Sequence, residues 1–568
     1  MFDYLSEITM SLLTAAKAKK PEFGYAPDFV LFALGPYLND IKRKGIRVLS
    51  NAGGINPHSC AAALKQAAQK AGVELKVAVV TGDDLMPQKK NYIGCPDMRS
   101  GQPLPKSVHS INAYLGAGPI ARALELGADI VVTGRCADSS LALAPLMHSF
   151  GWQRGEYDKL ASGSLAGHLI ECGAQVTGGV YTDWHEVPDW HNIGFPIAEV
   201  SPDGSMVITK PSNTGGVVTH GTVAEQLLYE IGDPRAYVLP DVVCDFTGVE
   251  TQVVEDGIKV IGAKGNPPTD SYKVSATYLD GFKATTVFCM GGPRSAEKGR
   301  KTTTAILQRV RNIFKMLKFD DFTKTHVQVL GDEDTYGPHA SGGSGPRDVA
   351  VWLSVYHKDK KALDLFAREI AAAGTGMAPG IMGAIGGRPR PSPCLKLHSL
   401  LINKNDVDVS VSLDDVNENY SEENLTVISE TYNLPDLAVS SVPSNLLRGT
   451  HSYRLEELAF TRSGDKANSA NVGVIARHPA LYPYLKEALS KEAVAQYFQH
   501  VFDDPQSAED CLKRYEVDGI HGLNFVLESS LGGGGIASLR SDPQGKAYGQ
   551  MLLDFTVNNM PDIDVLLQ

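Results

Sequence analysis

The sequence predicts an α/β protein whose N-terminal part is a largely parallel sheet flanked by helices. Three apolar runs, at residues 46–50, 74–80 and 129–133, have the length and composition of strands. Segments with a helical pattern separate them, most clearly at residues 58–71 and 118–127. Strands that are apolar throughout, with a helix between each pair, are typical of a parallel sheet covered on both faces.

The pattern changes after residue 240. Residues 241–290 have the alternation of β segments, and a helical pattern follows at 296–317. This order continues to residue 373 and predicts an α+β second lobe. Residues 434–449 have the composition of a linker, and a compact α+β unit follows, in which residues 461–471 are predicted as a loop between two strands. We therefore expect three units, at residues 1–240, 241–445 and 450–568.

Composition excludes several classes of function. The chain has 568 residues, 43% of them hydrophobic, but no apolar run long enough to cross a membrane. The net charge of −12, without a basic run interleaved with aromatics, speaks against a nucleic-acid partner. The N-terminus lacks the features of a secretory signal, so we expect a cytoplasmic protein. The eight cysteines form no C-x-x-C pair, which indicates free thiols rather than disulfides or a zinc site.

Three polar, Gly-containing loops follow the three predicted strands: NAGGINPHS, TGDD and TGRCADSS. Because the carboxyl ends of parallel strands meet at one edge of a sheet, we expect residues 51–56, 81–84 and 134–138 to line one cleft. Glycines let backbone N–H groups approach a ligand, and helix starts add further donors. The predicted substrate-binding residues are Asn51, Gly53, Gly54, Asn56, Asp83, Gly134 and Ser139.

Arg135 is the most informative side chain in these loops. A guanidinium between an apolar strand and its helix binds a planar anion, which is either a substrate or a structural carboxylate. The neighbouring Asp138 and Ser139 are either helix caps or residues of the site. Both pairs of interpretations stay open from the sequence.

Two histidines are further candidates. His58 either starts a helix or acts as an acid–base group or substrate ligand. His168 and Glu171 have a spacing that suits a proton-transfer pair, two metal ligands or a solvated helix face. The predicted catalytic residues are His58, Arg135, Asp138, His168 and Glu171.

No established cofactor motif is present. The sequence has no Walker A motif, no G-x-S-x-G elbow and no H-E-x-x-H, and its first loop does not fit G-x-G-x-x-G. The sequence therefore indicates no particular cofactor and assigns no residue as a metal ligand, and coenzyme A is considered only as part of a candidate substrate. The acidic group of Asp332, Glu333 and Asp334 with His339 is either a divalent-ion site or a polar turn.

The C-terminal unit has two distinctive stretches, residues 461–468 and 531–540. The second contains four consecutive glycines, which suit a backbone that passes close to a ligand or another chain. Because Arg462, Lys466 and Arg540 belong to them, the stretches predict either a small anion site or tight turns with surface charges. We expect both stretches to face the crevice of the first lobe or an interface in a homo-oligomer.

Several long motifs carry a resemblance to a known family. They include FDYLSEITMSLL, NAGGINP, VVTGRCADSSLALAPL, AGHLIECGAQVTGG, SGDKANSANVGVIAR and LGGGG. Over nearly the whole chain the sequence resembles the acyclic terpene utilisation family (AtuA). The resemblance implies a C-terminal ferredoxin-like domain and a place in the catabolism of citronellol- or geraniol-type terpenes or related branched acyl-CoA compounds. The resemblance does not assign a catalytic role to any residue of this sequence.

The start of the sequence departs from the family pattern. Family members begin with a strand and a Gly-rich loop upstream of the FDYL segment, whereas this sequence begins at that segment. The resemblance therefore implies that residues 1–240 lack the family's first strand and one candidate ligand loop.

Together these features predict a lyase or hydratase that acts on a small-molecule substrate, a branched CoA thioester or related acid. In this hypothesis His58 or Glu171 moves a proton α to a carbonyl, while Arg135 and loop N–H groups hold the oxyanion. The alternative is a non-catalytic subunit or scaffold of a CoA-thioester pathway complex.

Overall fold

The computed structural model describes residues 1–342, 345–421, 434, 445–535 and 537–567, so residues 435–444 of the predicted linker lie outside it. Within this part of the chain no helix is both long and apolar enough to cross a membrane. The helices are α1 (Glu7–Lys19), α2 (Leu38–Lys44), α3 (Pro57–Lys70), α4 (Gly118–Glu125), α5 (Ser140–Phe150), α6 (Tyr157–Ile170), α7 (His220–Leu228), α8 (Ser295–Leu317), α9 (Lys360–Gly376), α10 (Leu455–Leu458), α11 (Tyr482–Ala488), α12 (Lys491–Tyr497), α13 (Tyr548–Leu552) and α14 (Ile563–Leu566).

The strands form several sheets. They are β1 (Val48–Ser50), β2 (Val77–Thr81), β3 (Ser110–Ala113), β4 (Ile130–Thr133), β5 (Ile197–Val200), β6 (Met206–Thr209), β7 (Tyr237–Val238), β8 (Val243–Asp245), β9 (Glu250–Val254), β10 (Gly257–Ile261), β11 (Lys264–Asn266), β12 (Ser271–Gly291), β13 (Lys324–Leu330), β14 (Asp348–His357), β15 (Ile381–Ile385), β16 (Ser392–Asn403), β17 (Val409–Leu413), β18 (Val416–Tyr420), β19 (His451–Arg454), β20 (Ala459–Lys466), β21 (Ser469–Ala476), β22 (Leu512–Val517), β23 (Gly522–Leu527) and β24 (Thr556–Met560).

The first sheet has the order β1-β4-β2-β17-β18, in which β1, β4 and β2 are parallel and β17 and β18 antiparallel. Successive side chains of β2 enter different cores: Val77 and Val79 pack with α3, and Ala78 and Val80 with α4. Both faces are therefore buried, and the predicted α/β class is confirmed. The sheet also joins strands from both sides of residue 240, because β17 pairs with β2.

The second lobe is built around β12, a strand of 21 residues. Its first half pairs with β3 and β16, and its second half with β14 and β15. The helices α8 and α9 cover this sheet through apolar side chains such as Phe314 and Phe366. Since β3 belongs to the first lobe in sequence, β12 ties the two lobes together.

The C-terminal unit has an antiparallel sheet of order β20-β21-β23-β22. The prediction of a loop at residues 461–471 is wrong. Residues 461–466 continue β20 and pair with β21, from Thr461 opposite Val474 to Lys466 opposite Ser469, and only residues 467 and 468 turn the chain. Polar residues are tolerated in this strand because Arg462 and Ser463 are buried against other parts of the molecule, where their polar groups find partners.

The C-terminal unit docks on the first lobe through polar contacts. Thr182 and Thr461 exchange two hydrogen bonds of 2.9 Å, and Arg477 binds both carboxylate oxygens of Asp183 at 2.6 Å. The stretch after the glycines contacts the second lobe, where Trp352 Nε1 donates to the Leu539 carbonyl at 2.8 Å. Both distinctive stretches therefore face other parts of the same chain.

Glu225 of α7 gives this docking surface a pH dependence. Its side chain is 2% exposed and accepts the Thr182 N–H at 3.1 Å. Burial raises the pKa of Glu225 to about 8, against the opposing effect of Thr182. Because the pKa of Glu225 is higher in the folded than in the unfolded protein, protonated Glu225 stabilises the fold. This contribution to the free energy of unfolding is complete below the unfolded pKa of about 4.3 and is lost as the pH rises through the folded pKa of about 8.

Glu225→Gln is expected to remove this loss of stability. The free energy of unfolding of the variant, relative to that of the wild type, should rise by roughly 1.4 kcal/mol per pH unit between about pH 5 and 8. Urea unfolding of both proteins across that range measures the difference. A constant difference would show that Glu225 keeps an ordinary pKa when folded.

Candidate active site

The loops after β2 and β4 meet at the carboxyl end of the parallel strands. Asp83 Oδ2 accepts the Arg135 N–H at 2.8 Å and the Asn112 amide at 2.9 Å. A Cβ on Gly134 would lie 2.1 Å from Asp83 Oδ1, so this approach requires glycine. A buried carboxylate therefore joins the two loops.

Arg135 is 4% exposed and lies at the centre of these contacts. Its Nη1 donates to Asp138 Oδ1 at 2.5 Å and to the Cys136 carbonyl at 2.9 Å. The guanidinium lies 4.2 Å from the centre of the Tyr114 ring, and Lys273 Nζ lies 4.7 Å from the same ring. Two cations thus share one aromatic ring beside the strand ends, and the guanidinium binds a carboxylate of the protein itself.

Three carboxylates lie close together beside this guanidinium. One oxygen each of Asp3, Asp138 and Glu171 lies within 4.8 Å of the others, and we call these side chains the acidic cluster. Asp3 reaches the site because a parallel bridge at Phe2 places the N-terminal segment along β1. Asn51 Nδ2, at the end of β1, donates to Asp3 Oδ1 at 2.6 Å. The first loop thereby joins the same site.

The pair of His168 and Glu171 lies in the interior. His168 is 1% exposed, and the Glu171 side chain is 11% exposed. His168 Nδ1 lies 3.4 Å from Glu171 Oε1, and its ring packs 5.9 Å from that of Tyr237. The pair is therefore not on a solvated helix face, one of the three interpretations open from the sequence.

Burial dominates the electrostatics of the acidic cluster. It raises the pKa of Asp3 to about 7, and the Asp138 charge adds to this while Arg135 opposes it. Burial likewise raises the pKa of Glu171, against the opposing effect of the nearby His168. Burial and like charge therefore both disfavour full ionisation of the cluster.

The remaining residues of the first loop shape the backbone. A Cβ on Gly53 would lie 2.5 Å from the Thr133 carbonyl oxygen, and Gly54 has a φ of 54°. Asn56 Nδ2 donates to carbonyl groups of the segment 21–23 at 2.9 and 2.7 Å. Of the residues predicted in this loop, Asn51 contacts the acidic cluster, whereas Asn56 fixes a neighbouring segment.

His58 and Ser139 have contrasting positions. His58 is exposed in the first turn of α3, and no hydrogen bond links it to the acidic cluster within the described residues. Ser139 is 3% exposed at the start of α5 and packs against Gly167 of α6. Its Oγ has no hydrogen-bond partner in the described part of the chain.

A small cavity lies behind Arg135. Its volume of about 10 Å³ gives room for about one water molecule rather than a substrate. It is lined by Met10, Ser110, Asn112, Tyr114, Arg135, Ser275 and Thr277.

A family model described as the acyclic terpene utilisation family protein AtuA matches residues 1–413. The chain belongs to this family. A second model, the AtuA ferredoxin-like domain, matches residues 453–558, which confirms the predicted C-terminal domain. No curated protein and no solved structure matches the chain. The family is described by its connection with acyclic terpene utilisation, and membership connects this chain with the same process.

The AtuA ferredoxin-like domain brings a lysine to the first lobe. Lys466 Nζ lies 2.8 Å from Glu230 Oε2, and Arg99 Nη1 donates to the Lys466 carbonyl at 3.1 Å. Burial acts to raise the pKa of Glu230, but the charges of Lys466 and Lys546 lower it overall. The two parts of the AtuA chain are therefore joined electrostatically near α6, since Lys466 also acts on Glu171.

The acidic group at residues 332–334 is a polar turn. Arg300 forms salt bridges with Asp332 and, at 2.8 Å, with Asp334. His339 stacks on Tyr497 with ring centres 4.0 Å apart. Of the two interpretations open from the sequence, the contacts favour the structural one.

Several residues of the site were not predicted, because they come from distant segments. They are Asp3, Asn112, Tyr114, Tyr237 and Lys273. Among these residues, only Asp3 could have been recognised from the sequence, because it is a charged residue between two aromatics in the MFDYL segment. The others follow from the pairing of β3 with β12 and from the packing of α6.

Proposed function

We propose that this AtuA-family protein is a catabolic enzyme of lyase or hydratase type that acts on a branched acyl-CoA thioester or related acid. The observation that supports it is the acidic cluster beside Arg135, at the end of the parallel strands. Ligands of open α/β sheets bind at this edge. The context of acyclic terpene utilisation supports a branched substrate.

Glu171 is the proposed proton acceptor. Its side chain is 11% exposed, and His168 Nδ1 lies 3.4 Å from its Oε1 on the buried side. Lyases and hydratases of acyl thioesters remove or add a proton α to the carbonyl. A positioned carboxylate contributes about 10²- to 10⁴-fold to such a step.

Arg135 is the proposed partner of the oxyanion. Its guanidinium is held by Asp138 and the Tyr114 ring in a buried position. A fixed cation in such a setting stabilises negative charge that develops in the transition state without having to reorganise. Backbone N–H groups of the adjoining loops supply further donors.

We also propose that the protein is cytoplasmic and forms a homo-oligomer. Large apolar side chains are exposed on the segment after α6: Trp184, Trp190 and Phe195 are 59%, 57% and 67% exposed. Exposed aromatics of this size are typical of interaction surfaces. Light scattering that shows only a monomer would contradict the oligomer.

Turnover assays test the proposed function. The full-length protein is incubated with methylglutaryl-type and isohexenylglutaryl-type CoA thioesters, and products are followed by mass spectrometry. Lyase or hydratase products are expected. Absence of turnover, together with co-purification of an active CoA-thioester enzyme, would favour the scaffold instead.

A further inference from the structure

Two carboxylates of the acidic cluster, Asp3 and Asp138, are each held by a neighbouring side chain through one oxygen. The second oxygen of each accepts no hydrogen bond from the residues that the structure describes. Proteins present carboxylates to a metal ion in this way, with the ligand oriented by an outer partner. The two contacts are Asn51 Nδ2 to Asp3 Oδ1 at 2.6 Å and Arg135 Nη1 to Asp138 Oδ1 at 2.5 Å.

His168 provides an independent observation. It is 1% exposed, and neither ring nitrogen forms a hydrogen bond within the described residues. Its Nδ1 faces Glu171 at 3.4 Å, which is longer than a normal hydrogen bond. Buried polar atoms normally have partners. The unpartnered imidazole behind the cluster therefore indicates a site arranged around a group that the chain itself does not supply.

We propose that the acidic cluster binds a hard divalent cation of the Mg²⁺ or Mn²⁺ type through Asp3, Asp138 and Glu171. One oxygen of each lies within 4.8 Å of the others, close enough for a single ion to contact all three, and a cation offsets the repulsion between the carboxylates. Carboxylate oxygens select Mg²⁺, Mn²⁺ or Ca²⁺. Mg²⁺ usually keeps several waters, which suits a cluster that is partly open to solvent.

This inference deepens the proposed function and rests on it only for the role of the ion. A cation at the cluster polarises the carbonyl oxygen of a thioester and supports the charge that Arg135 stabilises. Binding of the ion is a separate property that needs no substrate.

Titration with Mn²⁺ tests the site. Full-length protein freed of metal by a chelator is titrated with MnCl₂, and free Mn²⁺ is followed by electron paramagnetic resonance. We expect one Mn²⁺ per chain, displaced by Mg²⁺. Asp3→Asn and Glu171→Gln should weaken binding about 100-fold, and Asn51→Ala, which only removes an orienting contact, about 10-fold.

Asp332→Asn is the matched control, because Asp332 lies outside the acidic cluster and forms an ion pair with Arg300. It should bind Mn²⁺ like the wild type. Wild-type protein that binds no Mn²⁺, or cluster variants that bind it as tightly as the wild type, would overturn the inference, and the wild-type result does not depend on whether a variant folds. Turnover without Mn²⁺ binding would reject the cation site but not the proposed function. Mn²⁺ binding without turnover would reject the proposed function but not the cation site.

Discussion

Glu171→Gln is expected to lower kcat for a branched acyl-CoA substrate at least about 100-fold, because glutamine neither accepts a proton nor carries a charge. The side chain keeps its size, and Glu171 is 11% exposed at the edge of the acidic cluster, so the protein should still fold. Steady-state kinetics measure kcat and KM, and circular dichroism checks the fold. A large loss in kcat with a small change in KM is the expected pattern.

His58→Ala is the comparison that decides between the two bases considered from the sequence. His58 is exposed in the first turn of α3, so its removal should change kcat little. The reverse ranking, with a large loss for His58→Ala and none for Glu171→Gln, would move the proposed base to the start of α3.

Arg135→Met is expected to lower the free energy of unfolding by about 1.5–3 kcal/mol, because it removes a buried cation that donates a hydrogen bond to the Asp138 carboxylate. Water can reach the Asp138 side chain, which is 27% exposed, and this limits the loss. Arg135 is 4% exposed and pairs with Asp138 at 2.5 Å. Methionine preserves much of the apolar volume, so the loss reports the missing charge. Urea unfolding followed by circular dichroism measures it.

Arg43→Met is the matched control. Arg43 and Asp40 form an ion pair of the same three-residue spacing and the same 2.5 Å distance, but both side chains are largely exposed. Exposed pairs contribute little to stability, so the melting temperature should not change measurably. If both variants lost the same stability, burial of Arg135 would not be the source of its effect.

Local pattern was enough to predict the sheet that carries the site. The apolar runs that became β1, β2 and β4 are buried on both faces, and a strand of that kind has few other stable arrangements. The same order along the chain places Asp83 and Arg135 at one edge, where their loops meet. Residues 461–466 escaped this reasoning, because a polar strand buried against another domain has no local apolar pattern.

Patterns and motifs within short segments were sufficient to predict the α/β class, the family, the ferredoxin-like domain and the edge of the sheet where the polar loops meet. Which side chains lie together at that edge depends on how distant segments pack. Asp3, Asp138 and Glu171 come from three segments far apart in the chain, and no spacing predicts that their oxygens lie within 4.8 Å of one another. Such a cluster of like charges is unfavourable locally, and it persists because folding of the whole chain stabilises the positions of its members.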